Sequence, residues 1–219
     1  MAWTVPSDSW NESMFDAAIR RHIDKPLAAV AKQAIAIGMT ADIATVLGFA
    51  FGMTAAALIA SQRYWVALAV LLVSRLLDGL DGAIARQTRL TDVGGYLDIT
   101  LDFIFYASAV CAFALADPQR NALAAAFLTA SFMGPASTFL AYAIFAAKHG
   151  ITTDIRGAKS LYYLGGLTEG FETILTLSLM CALPEWFPVI AVVYGIMCWI
   201  TAGTRIVAAV TTFRPFAGC

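Results

Sequence analysis

Residues 64–116 read YWVALAVLLVSRLLDGLDGAIARQTRLTDVGGYLDITLDFIFYASAVCAFALA. Two apolar runs, 64–85 and 95–116, flank the short polar loop Arg86–Val93. About 20 mainly apolar residues suffice for a helix to cross a hydrocarbon layer about 30 Å thick, so the stretch predicts two neighbouring antiparallel membrane-crossing helices. Against that background Arg75, Asp78, Asp81, Asp98 and Asp102 stand out. An ionisable side chain inside a membrane span is costly and usually functional.

Outward from this hairpin the same pattern repeats, with further crossings predicted at 42–60, 121–147, 162–183 and 187–212. Tight polar or proline-bearing turns separate them at Ser61-Gln62-Arg63, Asp117-Pro118-Gln119-Arg120 and Pro184-Glu185-Trp186, and such turns favour antiparallel neighbours. Trp65, Trp186 and Phe187 fall where interfacial aromatics are expected. The whole chain agrees: 60% of its 219 residues are hydrophobic and 13% charged, with a mean hydropathy of +0.74, far from a soluble composition. A net charge of −1 with no basic stripe excludes a nucleic-acid partner. Cys111, Cys181, Cys198 and Cys219 form no short paired spacing, so they are read as inert packing thiols.

The expected fold is an all-α integral membrane protein, about six transmembrane helices in one bundle over residues 39–214, preceded by an N-terminal amphipathic interfacial helix within 1–38. In that segment Trp10, Met14, Phe15, Ile19, Ile23, Leu27 and Val30 recur at helical spacing beside Arg20, Arg21, Lys25 and Lys32. Such a helix lies in the interface with its basic residues toward anionic headgroups, or else packs on the bundle. No uninterrupted apolar core precedes Lys25, which argues against a cleavable secretory signal. One side of the membrane collects Arg86, Arg89, Lys148, Arg156, Lys159 and Arg214 with the N-terminal cations, while Arg63 and Arg120 fall on the other. The positive-inside rule then places both termini and the carboxylates on the cytoplasmic side, which in a bacterium means the inner membrane.

Asp78 and Asp81 are three apart and Asp98 and Asp102 four apart, so each pair shares one helix face. Antiparallel helices bring the pairs together, and four crowded carboxylates repel unless a cation compensates. Oxygen ligands without nearby histidine or thiolate point to Mg²⁺ or Mn²⁺, with Ca²⁺ also admissible, and a pair of such ions could bridge a diphosphate. A proton or cation pathway, or an ion-pair network with Arg75 and Arg86, uses the same acids.

The run Asp78-Gly79-Leu80-Asp81-Gly82-Ala83-Ile84-Ala85-Arg86, followed by Gly94-Gly95-Tyr96-Leu97-Asp98-Ile99-Thr100-Leu101-Asp102, resembles the signature of the CDP-alcohol phosphotransferase family, D-x-x-D-G-x-x-A-R, a gap, then G-x-x-x-D-x-x-x-D. The gap here is seven residues, Gln87–Val93, where the family usually has eight. The resemblance implies that Asp78, Asp81, Asp98 and Asp102 hold two Mg²⁺ or Mn²⁺ ions, that Asp102 is also the general base, and that Gly82 and Arg86 contact the CDP donor. Thr40-Ala41-Asp42-Ile43-Ala44-Thr45-Val46-Leu47-Gly48 resembles the family's T-P-[ND]-x-x-T-x-x-G segment with Ala41 in place of proline; it implies that Asp42 and Thr45 lie beside the nucleotide, although Thr40 also reads as a helix N-cap with Asp42 in the first turn.

Beyond the fourth crossing, Glu169 and Glu172 share a face and could bind an amino or polyol acceptor, or pair with Arg75 or Arg205. Gly166-Leu167-Thr168-Glu169-Gly170 is somewhat similar to a segment of choline and ethanolamine phosphotransferases. Arg156 and Lys159 suit a phosphorylated acceptor or simply obey the positive-inside rule. The family implies an enzyme that moves a phosphatidyl group from CDP-diacylglycerol to a small alcohol acceptor with release of CMP, embedded in the lipid bilayer and working as a homodimer. Small residues such as Ala107, Ser108, Gly134 and Ala136 could serve that dimer or packing within the chain. A related reaction takes a small CDP-alcohol of the CDP-ethanolamine or CDP-choline type and diacylglycerol, and a cation or proton transporter is the reading from another class.

Overall fold

Threonine and aspartate caps set three of the helix starts. In the computed structural model, which describes residues 26–151 and 167–214, every regular element is helical: α1 (Ala41–Ala60), α2 (Tyr64–Gln87), α3 (Asp92–Ala116), α4 (Pro118–Lys148), α5 (Gly170–Ala182) and α6 (Phe187–Phe213), with a 3-10 turn at Pro184–Trp186. Thr40 Oγ1 accepts the amide N–H of Ile43 at 3.2 Å, and Thr91 Oγ1 that of Gly94 at 3.0 Å. Asp117 Oδ1 accepts from Arg120 N at 3.2 Å, with Pro118 in the first turn of α4. These caps satisfy amides that have no partner inside the helix. They also explain why α3 and α4 start a few residues before the hydropathy limits of 95 and 121.

Four segments are long and apolar enough to cross a membrane: α1, α3, α4 and the run Pro184–Phe213 that contains α6. The expected six thus resolve into four such helices among the described residues, and the two exceptions have physical reasons. Helix α2 is long, but from its midpoint onward it carries Arg75, Asp78, Asp81 and Arg86. Helix α5 has 13 residues, because the chain at Leu167–Glu169 is not helical. There the Glu169 amide donates to Glu172 Oε2 at 3.1 Å, one half of a capping box that starts the helix at Gly170. Residues 162–166 of the predicted fifth crossing lie outside the described residues, as do Arg156 and Lys159.

Helix α1 packs on both α2 and α3, α3 leads into and packs on α4, α4 pairs with α6, and α5 lies against α2, α3 and α6. One core runs through them, with Leu71, Phe105, Phe113, Leu128, Leu177 and Phe187 buried; the Phe113 and Phe187 rings stack at 4.5 Å. Small residues allow the close approaches. A Cβ on Gly52 would stand 2.8 Å from Phe105 Cδ2, so α1 meets α3 at a position only glycine fits. Gly134 abuts Ala202 on α6 in the same way, which assigns it to packing within the chain.

Residues 26–36 are helical. Ala31 and Ala34 are buried with Ala44, Leu80, Ala83 and Ile84, and Leu27 packs on this cluster, while Val30 and Ile37 remain exposed. This part of the N-terminal helix therefore docks on α1 and α2, and Gln87 Nε2 ties it down by donating to the carbonyl of Ala28 at 3.0 Å. The remainder of the predicted interfacial helix, 8–25, lies outside the described residues. Cys181 and Cys198 are buried free thiols, in keeping with their reading as packing residues, whereas Cys111 is free but exposed and Cys219 lies outside the described residues.

Candidate active site

The hairpin of α2 and α3 brings its acids together as the spacing predicts, but in a three-plus-one arrangement. Asp78, Asp98 and Asp102 each present a carboxylate oxygen, and these oxygens lie within 4.8 Å of one another. Asp81 instead faces α1, where its Oδ2 accepts from Thr45 Oγ1 at 2.5 Å. The Thr45 hydroxyl also lies 3.0 Å from the carbonyl of Ala41. Asp81 is only 6% exposed, so this contact supplies a hydrogen bond that a buried carboxylate requires.

Arg75 enters the cluster from one turn before Asp78. Its Nη1 donates to Asp102 Oδ1 at 2.7 Å and lies 3.5 Å from Asp78 Oδ1. The expected ion-pair partner Arg75 is thus present in the cluster, whereas Arg86 is exposed at the end of α2. Tyr106, one turn beyond Asp102, donates its hydroxyl to Asp102 Oδ2 at 3.0 Å. Sequence reasoning gave Tyr106 no role, and the available signal was the four-residue spacing that puts it on the Asp102 face.

Two cavities follow the same face of α1. The inner one is lined by Thr45, Phe49, Arg75, Asp78, Asp98 and Asp102. The outer one, about 320 Å³, is bounded by Gly38, Thr40, Asp42, Arg89 and Thr91. Asp42, Thr45 and Phe49 stand at i, i+3 and i+7, so one helix stripe runs from the outer cavity to the carboxylates. The first turn of α3 closes on this stripe: a Cβ on Gly94 would stand 3.2 Å from Asp42 Oδ1. Gly82 lies beside Arg86, whose Nη1 would be 3.3 Å from a Cβ at that position.

The other candidates sit around the start of α5. Arg205 is 6% exposed and its Nη1 donates to the carbonyl of Pro135 at 3.1 Å. Glu169 lies close enough to Arg205 to interact electrostatically. Glu172 uses one oxygen in the cap. Thr168 donates to Thr201 at 3.1 Å. The Tyr106 hydroxyl is 3.9 Å from where a Gly170 Cβ would stand, so the start of α5 borders the side chain that touches Asp102.

An all-helical bundle with a carboxylate trio at a helix hairpin and cavities along the neighbouring helix α1 defines a class, and sequence comparison gives that class its name. The family model described as CDP-alcohol phosphatidyltransferase matches residues 38–213, and the chain belongs to this family. It is a transferase of substituted phosphate groups. The chain is similar to the inner membrane protein YnjF of Escherichia coli, with 50% identity covering 81% of this chain and 86% of that one. It is 33% identical to the archaetidylinositol phosphate synthase of Pyrococcus horikoshii over 52% of this chain and 62% of that one. Its fold resembles that of the phosphatidylinositol phosphate synthase PgsA1 of Mycobacterium tuberculosis with CDP-DAG bound: TM-score 0.68, 21% identity, covering 84% of this chain and 94% of that one. The same protein in complex with manganese and citrate gives a TM-score of 0.68 at 20% identity, covering 84% and 88%.

Proposed function

We propose that the chain transfers a phosphatidyl group from CDP-diacylglycerol to a small alcohol and releases CMP, with divalent metal held by its aspartates. The observation that carries this reading is the convergence of the Asp78, Asp98 and Asp102 oxygens at the end of a polar stripe on α1. The donor set fits the group: hard carboxylate oxygens suit Mg²⁺ or Mn²⁺, and a manganese complex of the structurally similar PgsA1 supports that choice. Asp78, Asp98 and Asp102 would hold the metal, with Asp81 as the further ligand that the family signature implies. Bound there, divalent ions would neutralise charge on the diphosphate and its leaving group.

The chain's own residues supply the rest. Asp42 on the outer cavity and Thr45 on the inner one would contact the cytidine half of the donor, and Gly82 leaves room beside Arg86, whose guanidinium suits a phosphate. Asp102 accepts the proton of the acceptor hydroxyl as that oxygen attacks the lipid-bearing phosphorus. Glu169, Glu172 and Arg205 border the acceptor, with Arg156 and Lys159 as further candidates. A CDP-DAG complex of PgsA1 supports the lipid donor. In this reading α2 and α5 complete six crossings in the shelter of the four apolar ones. Both termini and the carboxylates face the cytoplasm, the N-terminal helix lies along the interface, and two chains form a homodimer.

The test is CMP release by the purified chain from CDP-diacylglycerol with a panel of alcohols. Metal-dependent release that is lost in Asp102→Asn is the expected result. Label entering lipid from CDP-ethanolamine or CDP-choline instead would replace this donor with a small CDP-alcohol. No metal-dependent release with any acceptor, or full release in Asp102→Asn, would sink the proposal.

A further inference from the structure

Asp102 is held from two sides by residues outside the fixed positions of the family signature. Arg75 occupies Oδ1 at 2.7 Å and Tyr106 occupies Oδ2 at 3.0 Å. Both holders are themselves anchored. The Arg75 side chain is 8% exposed, its Nη2 donates to Ser74 Oγ at 3.0 Å, and Ser74 in turn donates to the carbonyl of Gly48 on α1 at 2.7 Å. The guanidinium carbon lies 4.7 Å above the Phe105 ring, a cation–π contact that fixes its plane. Tyr106 is buried and packs against Phe105 and Phe132.

We infer that Arg75 and Tyr106 are positioning residues, a two-sided clamp on the Asp102 carboxylate, and that Arg75 is also the internal counter-cation of the Asp78–Asp102 pair. The inference rests on the reading of Asp102 as the base. Each carboxylate oxygen has two acceptor sites, so the clamp leaves one further acceptor site on each oxygen. Fixing the base in advance removes a cost that would otherwise fall on the transfer step. The guanidinium has a second effect: it places a positive charge beside the oxygens that would bind metal, and like charges repel.

These roles have consequences of opposite sign. Arg75→Met removes the competing charge, so Mn²⁺ binds more tightly, by roughly tenfold in dissociation constant. It also frees Asp102, so kcat for CMP release falls by about 10–100-fold, while KM for CDP-diacylglycerol changes by about twofold or less. A residue that merely supported the fold would weaken both. Arg75→Lys keeps the charge and loses the planar fork, giving near-native Mn²⁺ binding and an intermediate kcat. Tyr106→Phe keeps the packing and loses the hydroxyl, lowering kcat about tenfold with Mn²⁺ binding unchanged.

The experiment uses the full chain in detergent, with free Mn²⁺ counted by electron paramagnetic resonance. CMP release is measured with CDP-diacylglycerol and whichever alcohol of the panel reacts fastest. Weaker Mn²⁺ binding in Arg75→Met, or native kcat in both Arg75→Met and Tyr106→Phe, overturns the clamp. Should Arg75→Met not fold, native kcat in both Arg75→Lys and Tyr106→Phe overturns it. Asp102→Asn separates the two levels of the argument. Inactive Asp102→Asn with native clamp variants rejects the clamp alone, whereas full release by Asp102→Asn rejects the base and the clamp with it.

Discussion

Thr45 on α1 and Asp81 on α2 share a hydrogen bond of 2.5 Å across the interface between their helices, and it divides the four signature aspartates into a converging trio and one anchored acid. Gly48, one turn after Thr45, accepts from Ser74 at 2.7 Å. Helix α1 therefore grips α2 through consecutive polar contacts on the stripe that also lines both cavities, so the register between the two helices sets the shape of the site.

Replacing Thr45 by valine keeps the shape and removes the donor. A buried carboxylate that loses its partner costs about 1–3 kcal/mol, and loss of a group that orients a metal-binding residue typically costs 10–100-fold in activity. Thr45→Val is expected to melt earlier in detergent and to release CMP about tenfold more slowly or worse. Thr45→Ser, which keeps the hydroxyl, should remain close to the native chain in both. A native-like Thr45→Val beside an impaired Thr45→Ser would show that the methyl, not the hydrogen bond, matters.

Metal should be visible without any substrate. A ligand that binds only the folded chain stabilises it by about 2.7 kcal/mol at 100 times its dissociation constant. Thermal melting in detergent is therefore expected to shift upward with Mn²⁺ or Mg²⁺ and back with a chelator, and CMP release should follow the same cycle. Asp98→Asn removes one oxygen of the trio and should abolish most of the shift. A native shift in that variant would place the metal elsewhere.

Much of this arrangement was legible from residue spacing. Pairs at three and four residues, together with the short Arg86–Val93 loop, were enough to bring Asp78, Asp98 and Asp102 into one cluster, because helical periodicity and an antiparallel hairpin leave little freedom. The start of α5 was not legible from hydropathy, since an apolar run over 162–183 does not reveal that Glu169 and Glu172 cap a helix at Gly170; the E-x-x-E spacing held the signal. The division of the aspartates was hidden for another reason. Which carboxylate turns toward Thr45 depends on how α1 packs on α2, a contact between residues 36 positions apart. Arg75 was visible as a charge in a span, but its choice of Asp102 over Asp81 likewise needed the tertiary geometry.

Gly52 offers a test of that packing. An alanine there would bring its Cβ to 2.8 Å from Phe105 Cδ2 and 3.2 Å from Ser74 Oγ. Phe105 is fully buried beneath the Arg75 guanidinium, so relief of the clash must move the helices or the ring. Overpacking of this kind costs about 1–3 kcal/mol. Gly52→Ala should lower the melting temperature and reduce CMP release together. Gly95→Ala, in helix α3 where an added Cβ meets nothing within 4 Å, should keep or raise the melting temperature, with a gain in stability of up to about 1 kcal/mol.

Arg205 tests the acceptor side. Its guanidinium is buried, bonded to the carbonyl of Pro135, and within electrostatic reach of Glu169. The start of α5 stands beside Tyr106 and so beside Asp102. If this group recognises the acceptor, substitution acts on acceptor binding and leaves the donor untouched. A hydrogen bond to a charged group contributes about 1.5–3 kcal/mol, so Arg205→Met or Glu169→Gln should raise KM for the acceptor by about tenfold or more, with KM for CDP-diacylglycerol unchanged. An Arg205 that only braces α4 against α6 gives a different pattern, in which the melting temperature and kcat fall while the ratio of the two KM values stays native. Measuring both KM values across the alcohol panel distinguishes the two, and a variant that changes the order of preference among the alcohols identifies the residue that faces the acceptor.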